Sequence, residues 1–302
     1  MTGDDSDAAV ARGIAIRRWG ACDAVALLGQ GANNIVFLAE RADEMVAIKL
    51  SKPHREDGAL GEYRKEAWCA AQAAARGVRT PQVLEIGTFA MRSFAVMEFA
   101  RGRAPAAAQA VGVWRALGRE ARQINGIAVA GWGCSLDGAG VFGENWQGHL
   151  DYNIGALGPG DALRELGVLD ASSSRRLRDV LERLRLGTFR FGLCHGDIAL
   201  QNVLVDGDAK PWLLDWGCAF AHVVPHYEIN EIVRDSKAAP DALAAFLGGY
   251  GISRADHAAM TPDLLALSAL REVDTLRWAI DRKPDMIAEM CARAKAAVAK
   301  LE

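Results

Sequence analysis

The stretch Leu193–Gly217 reads LCHGDIALQNVLVDGDAKPWLLDWG. His195, Asp197 and Asn202 stand ahead of an apolar run, and a second carboxylate, Asp215, follows it in an Asp-Trp-Gly turn. Taken singly, each Asp or Asn fits a turn in which its side chain caps backbone groups. The segments 203–205 and 212–214 read as short strands. With a turn between them they bring Asp215 back toward Asp197 and Asn202.

Taken together, the three polar residues fit phosphoryl transfer. That reaction needs a carboxylate near the attacking hydroxyl and metal ions across the nucleotide phosphates. In the kinase arrangement an Asp of a catalytic loop supplies the first. An Asn five residues later and an Asp in a following three-residue turn hold the metal. Asp197, Asn202 and Asp215 have this order and spacing. Such a sparse set of oxygen donors suits Mg²⁺, which keeps several waters and takes few protein ligands.

Working outward, the first hundred residues read as a small sheet with one helix. DAVALLGQGANNIVFLAE (residues 23–40) gives two strands around a Gly-containing turn, and MVAIKLS (45–51) a third strand. Gly29 and Gly31 lie in that turn, where backbone N–H groups can approach phosphates; a plain turn is the alternative. No GK[ST] and no helix follow, so it is not a P-loop. Lys49 sits near the end of its strand, where a lysine can also snorkel to solvent. In a kinase this lysine reaches the α/β-phosphates and is positioned by a Glu on the next helix. Glu66 is the expected partner and Glu62, one turn earlier, the second choice. The strand ending VMEFARG (96–102) precedes a change in composition. At such a hinge the backbones of Glu98 and Ala100 can pair with an adenine edge.

After Ala100 the pattern turns mostly helical. Val111, Trp114, Leu117, Ala121 and Ile124 recur at three- and four-residue steps, and similar stripes run through 177–184 and 264–280. Residues 131–160, rich in Gly and carrying Trp132, Trp146 and Tyr152, read as a long loop. The expected domains are a flexible N-terminal tail at 1–20, a nucleotide-binding N-lobe at 21–100 and a helical C-lobe at 101–302. The expected fold is α+β and bilobal, protein-kinase-like, with a small antiparallel sheet and one helix in the first lobe.

Composition bounds the function. The chain has 302 residues, 51% hydrophobic, a formal net charge of -3 and a pI near 6.1, which argues against a nucleic-acid partner. No apolar run is long enough to span a membrane. The acidic, polar N-terminus lacks a signal core. Six cysteines without a CxxC pair read as reduced packing residues of a cytoplasmic protein, with no zinc site expected. A monomer or weak dimer is expected.

On HGDIALQN (195–202) and LLDWG (213–217), with the Gly hairpin, strand lysine and helix glutamate upstream in order, the chain resembles the aminoglycoside phosphotransferase family over roughly residues 22–235. The resemblance implies Asp197 as catalytic base or hydroxyl-orienting group and Asn202 and Asp215 as Mg²⁺ ligands. It implies Lys49 with Glu66 on the α/β-phosphates, and ATP as donor, with GTP as the alternative. His195 would shape the loop. Gly196 stands where protein kinases carry Arg, and no APE motif or long activation segment follows Gly217, so a small molecule is the expected acceptor. Two departures bear on the acceptor: the bulky IALQ within the loop, and HYEI (226–229) in place of an Asp-rich run. Residues 223–302 hold twelve Asp/Glu against ten Lys/Arg, a balance that does not favour a polycation. Asp151, Glu228, Glu231 and Asp235 are the candidate acceptor carboxylates. Antibiotic inactivation is the leading use; a kinase for choline, an amino alcohol or a sugar is the second, and a non-catalytic nucleotide-binding pseudokinase the third.

Overall fold

The computed structural model describes residues 3–206, 210–235 and 240–301. The chain opens on α1, Gly3–Trp19, where a flexible tail was expected. The helix has a physical reason to form. Ala8, Ala11, Ile14 and Ala15 share one face at helical spacing. Ala11, Ile14 and Ala15 are fully buried against Ile35, Phe37, Ile48 and Phe94. Asp7 pairs with Arg92, and Arg17 with Glu85. The N-terminal part therefore has two helices rather than one.

The first sheet is antiparallel, of β1 (Ala24–Gln30), β2 (Asn34–Arg41), β3 (Glu44–Ser51), β4 (Val83–Phe89) and β5 (Arg92–Glu98), in the order β1-β2-β3-β5-β4. Helix α2, Glu56–Ala74, lies between β3 and β4 in sequence. Strand β3 is central, with Lys49 opposite Val36 on one side and Ala95 on the other. Its last six residues are buried, which is why VAIKL carries no alternation.

The C-terminal part begins with α3, Ala110–Asn125. Residues 131–160 are not a long loop. They hold most of β6 (Ala130–Leu136), then β7 (Val141–Glu144) and α4 (Trp146–Ala156), the last capped by Asn145. The glycines that read as loop are what let the strands meet: Gly131 has φ +80, and a Cβ there would overlap the carbonyl oxygen of Phe142 on β7. Helices α5 (Ala162–Glu165) and α6 (Ala171–Leu186) follow, then β8 (Phe191–Cys194), the hairpin of β9 (Val203–Val205) and β10 (Pro211–Leu213), and β11 (Phe220–Val223). A second sheet runs β7-β6-β11-β8. Helices α7 (His226–Asp235), α8 (Pro240–Tyr250), α9 (Arg254–Arg282) and α10 (Ile287–Val298) complete the chain. One core joins Cys69, Ala70 and Ala73 of α2 to Trp114 and Leu117 of α3 and to Ile198, Val203 and Trp216. A second packs α4 and α6 on α9 and α10.

Candidate active site

Lys49 points from β3 into the junction of the two parts and is 5% exposed. Its Nζ lies 2.9 Å from both carboxylate oxygens of Glu66 on α2 and 2.9 Å from Oδ1 of Asp215. Burial works to lower the Lys49 pKa, but Glu66 and then Asp215 outweigh it and hold the ammonium well above its ordinary value. Burial likewise opposes the charge of Asp215, and Lys49 overcomes it, keeping that carboxyl below the usual range. Of the two candidate partners the structure brings Glu66 to the lysine; Glu62 pairs at the surface with Arg55.

The loop after β8 is fixed from three sides. His195 is fully buried, its Nδ1 3.3 Å from the Asp197 N–H and its Nε2 3.0 Å from the carbonyl oxygen of Leu214. Nδ1 can only accept from that amide, so Nε2 carries the proton and donates to Leu214. Burial drives the His195 pKa down to about 4 and keeps the ring neutral. The histidine thus ties the His-Gly-Asp loop to the residue before Asp215. Gly196 has φ +82, and a Cβ there would overlap the carbonyl oxygen of Cys218, so no side chain fits this position. Asn202 donates through Nδ2 to the Asp197 carbonyl at 3.0 Å and to Asp197 Oδ2 at 2.7 Å. Ile198 and Ala199 are buried, and Ile198 belongs to the core shared with α2 and α3. That gives the bulk of IALQ its reason: the loop is anchored by a hydrophobic plug. Asp215 itself sits in left-handed backbone, φ 57 and ψ 73, a strained conformation for a residue with a side chain.

The acceptor carboxylates named from sequence fare differently. Glu228 is no acceptor group: it is fully buried, and its Oε1 accepts from the His195 amide at 2.6 Å and the Gly196 amide at 3.4 Å. Burial raises its pKa to about 7. Glu231 is 4% exposed and paired with Arg234 and Arg271. Asp151 is exposed on α4 and lies 3.5 Å from Arg185. The side chain of Asp235 lies outside the described residues. What spacing missed is a pocket of about 270 Å³ lined by Trp132, Phe220, His222 and Tyr227 together with Glu144, His149, Arg271 and Asp274. Of Trp132, Trp146 and Tyr152, the first lines it. Trp146 is buried beside it, ring centroids 5.4 Å apart, and Tyr152 is exposed and does not line it.

Gly29 and Gly31 are exposed in the β1–β2 hairpin, and a Cβ at either would meet nothing within 4 Å. The fold itself does not demand glycine there. Ala100 is buried, and the Glu98 amide donates to the Gln82 carbonyl, so any contact of Glu98 with a base runs through its carbonyl. Among the described residues no group of three or more His, Cys, Asp or Glu could hold a metal by itself. Asn202 Oδ1, free of any donor among the described residues, and the Asp215 carboxylate are the oxygens available. Two protein oxygens with phosphates and water fit Mg²⁺ and fit neither zinc nor a calcium cage.

A buried lysine between two carboxylates and a braced Asp-Asn loop, at the seam of a small sheet and a helical body, define a phosphotransferase of kinase-like fold. A model of the phosphotransferase enzyme family matches residues 24–262, and the chain belongs to that family. Among solved structures it superposes on aminoglycoside phosphotransferase APH(4)-Ia with a TM-score of 0.70 at 19% identity, covering 97% of this chain and 98% of that one. A mutant of that enzyme in ternary complex with ADP and hygromycin B gives 0.69 at 19%, covering 95% and 97%. The GDP complex of aminoglycoside 2'-phosphotransferase-IIIa gives 0.69 at 14%, covering 97% and 99%. These likenesses establish the shared fold. A search of curated proteins finds no match.

Proposed function

We propose that the protein transfers the γ-phosphoryl group of ATP, with Mg²⁺, to a hydroxyl of a small molecule, with antibiotic inactivation as its use. The observation that carries this reading is the Lys49 ammonium held 2.9 Å from both Glu66 and Asp215, a geometry suited to gripping phosphates. Lys49, kept charged and positioned by Glu66, binds the α/β-phosphates. The Gly29–Gly31 hairpin covers them, and the Glu98 carbonyl and Ala100 amide face the adenine. Asn202 and Asp215 would hold Mg²⁺, which when bound neutralises phosphate charge. Asp197, its Oδ2 braced by Asn202, takes the acceptor proton while the acceptor oxygen attacks the γ-phosphorus and the bond to the β-phosphate oxygen breaks. Lys49 meets the charge that builds on the departing diphosphate.

Related structures carrying ADP with hygromycin B and GDP with kanamycin support a nucleotide donor and a small acceptor. A metabolic alcohol kinase is the second reading, favoured by the small size of the pocket beside the loop. The test is coupled ADP production over antibiotics and metabolic alcohols, with Asp197→Asn as control. That variant should lose about 10²–10⁴-fold in turnover and still show a nucleotide-dependent rise in melting temperature. Unchanged turnover would remove Asp197 from its role, and no nucleotide shift in the parent protein would sink the reading.

A further inference from the structure

The pocket that the sequence did not reveal has a composition that selects its occupant. It lies directly against the loop carrying Asp197: the Phe220 ring comes within 3.1 Å of where a Cβ of Gly196 would stand, and Tyr227 precedes the Glu228 that holds the loop amides. One wall is a continuous run of rings. Phe220 and Tyr227 meet edge to face at 4.5 Å, Tyr227 and His222 lie 4.9 Å apart, and His222 and Trp132 5.9 Å apart. His222 is kept uncharged by burial and by neighbouring His149 and Arg271, its pKa pressed down to about 3. Its Nδ1 and the Trp132 Nε1–H are buried without partners among the described residues.

Charge is set by two acids. Glu144 gives Oε1 to the amides of Cys134 and Ser135, and Asp274 gives Oδ1 to Asn153. Each keeps its second oxygen free of donors among the described residues. His149 feels both carboxylates, yet burial still lowers its pKa, so it supplies no cation at neutral pH. Arg271, the one cation lining the pocket among the described residues, is committed to Glu231, and its guanidinium covers the Tyr227 ring at 4.9 Å. Glu231 also holds Arg234, so three carboxylates face two guanidiniums around the pocket, and there is room for one net positive charge.

Resting on the phosphotransferase reading, we infer that the acceptor is a compact ring-bearing alcohol with a single amine, its ring on the Trp132–His222–Phe220–Tyr227 wall and its ammonium between Glu144 and Asp274. A polycationic oligosaccharide is disfavoured on two counts. The volume, about 270 Å³, falls just below the roughly 300 Å³ at which ligand pockets begin, and each further ammonium buried here lacks a carboxylate. An acid is repelled by the same two groups, and an uncharged ring desolvates their second oxygens without supplying a donor.

The experiment is calorimetric titration of the full chain, saturated with AMP-PNP and Mg²⁺, by three probes: phenylethanolamine, its uncharged analogue 1-phenylethanol, and kanamycin. Phenylethanolamine should bind tightest. Glu144→Gln and Asp274→Asn should each weaken it by roughly tenfold and leave 1-phenylethanol and AMP-PNP unaffected. Both variants keep the oxygen that accepts the structural hydrogen bonds, and their melting temperatures check folding. Tighter binding of kanamycin, affinity for phenylethanolamine indifferent to both substitutions, or no binding of it at millimolar concentration overturns the inference. Nucleotide titration in the same series separates the two readings: intact AMP-PNP binding with any of these results overturns the acceptor class alone.

Discussion

At the scale of single residues, the most informative contact is the one between Lys49 and its two carboxylates. Lys49→Met should abolish nucleotide binding and destabilise the protein by about 3–5 kcal/mol, because Glu66 is left buried without its cation. Urea titration and a nucleotide-dependent thermal shift check the two effects. Glu228 gives a pH signature. Its folded pKa, about 7, lies above its ordinary 4.5, so the folded state binds the proton more tightly than the unfolded one. Its contribution is therefore favourable below about pH 4.5 and is lost as pH rises toward 7. Glu228→Gln keeps an oxygen for the His195 amide, and its urea midpoint should fall less than the parent's between about pH 5 and pH 7.5; an equal fall would assign the dependence elsewhere. The sequence shows these two residues unequally, for a physical reason. Lys49, Glu66, Asp197, Asn202 and Asp215 could be singled out because a fixed chemistry demands fixed types at fixed spacing, and the structure brings Lys49, Glu66 and Asp215 together. Glu228 was misread because a carboxylate on an amphipathic helix ordinarily faces water, and only the tertiary approach of two loop amides reveals otherwise.

At the scale of elements, glycine divides into two kinds. Gly131 is demanded by the β6–β7 approach, and Gly131→Ala should cost about 2 kcal/mol or more, since it strains a positive φ and overlaps Phe142. Gly29→Ala should leave stability within about 0.5 kcal/mol of the parent, because nothing lies within 4 Å of the new Cβ. Its cost should fall on the KM for ATP. Equal destabilisation by the two changes would contradict this division. The same contrast explains what the elements hid. Strands β1, β2, β3 and β5 were legible from apolar runs beside turn signals. Strands β6 and β7 were not, because the residues permitting their contact are those that ordinarily end strands. Helix α1 was hidden by its acidic start and small apolar residues, whose pattern gains meaning only against the β2–β3 surface.

For the whole molecule, the seam between the two parts is hydrophobic as well as ionic. Cys69, Ala70, Ala73 and Val78 share a core with Trp114, Ile198 and Trp216. Residues 1–100 expressed alone should therefore expose this surface and lack protection from amide exchange in α2, while the full chain protects it. Strong protection in the fragment would make the first part an independent unit. The general architecture was legible from the change of periodicity after Ala100; the shared core was not, since it joins residues more than a hundred positions apart.

The backbone at Gly196 also bears on descent. Where a protein kinase has the arginine that answers a phosphorylated loop, this chain has a residue in left-handed conformation pressed against the Cys218 carbonyl. A single codon change to arginine cannot install that control, because the new Cβ would break the loop before its guanidinium could meet any phosphate. The turn after Asp215 would have to be rebuilt first, with no benefit until both changes were present. A lineage carrying this packing is thereby kept from gaining an arginine at this position by one substitution.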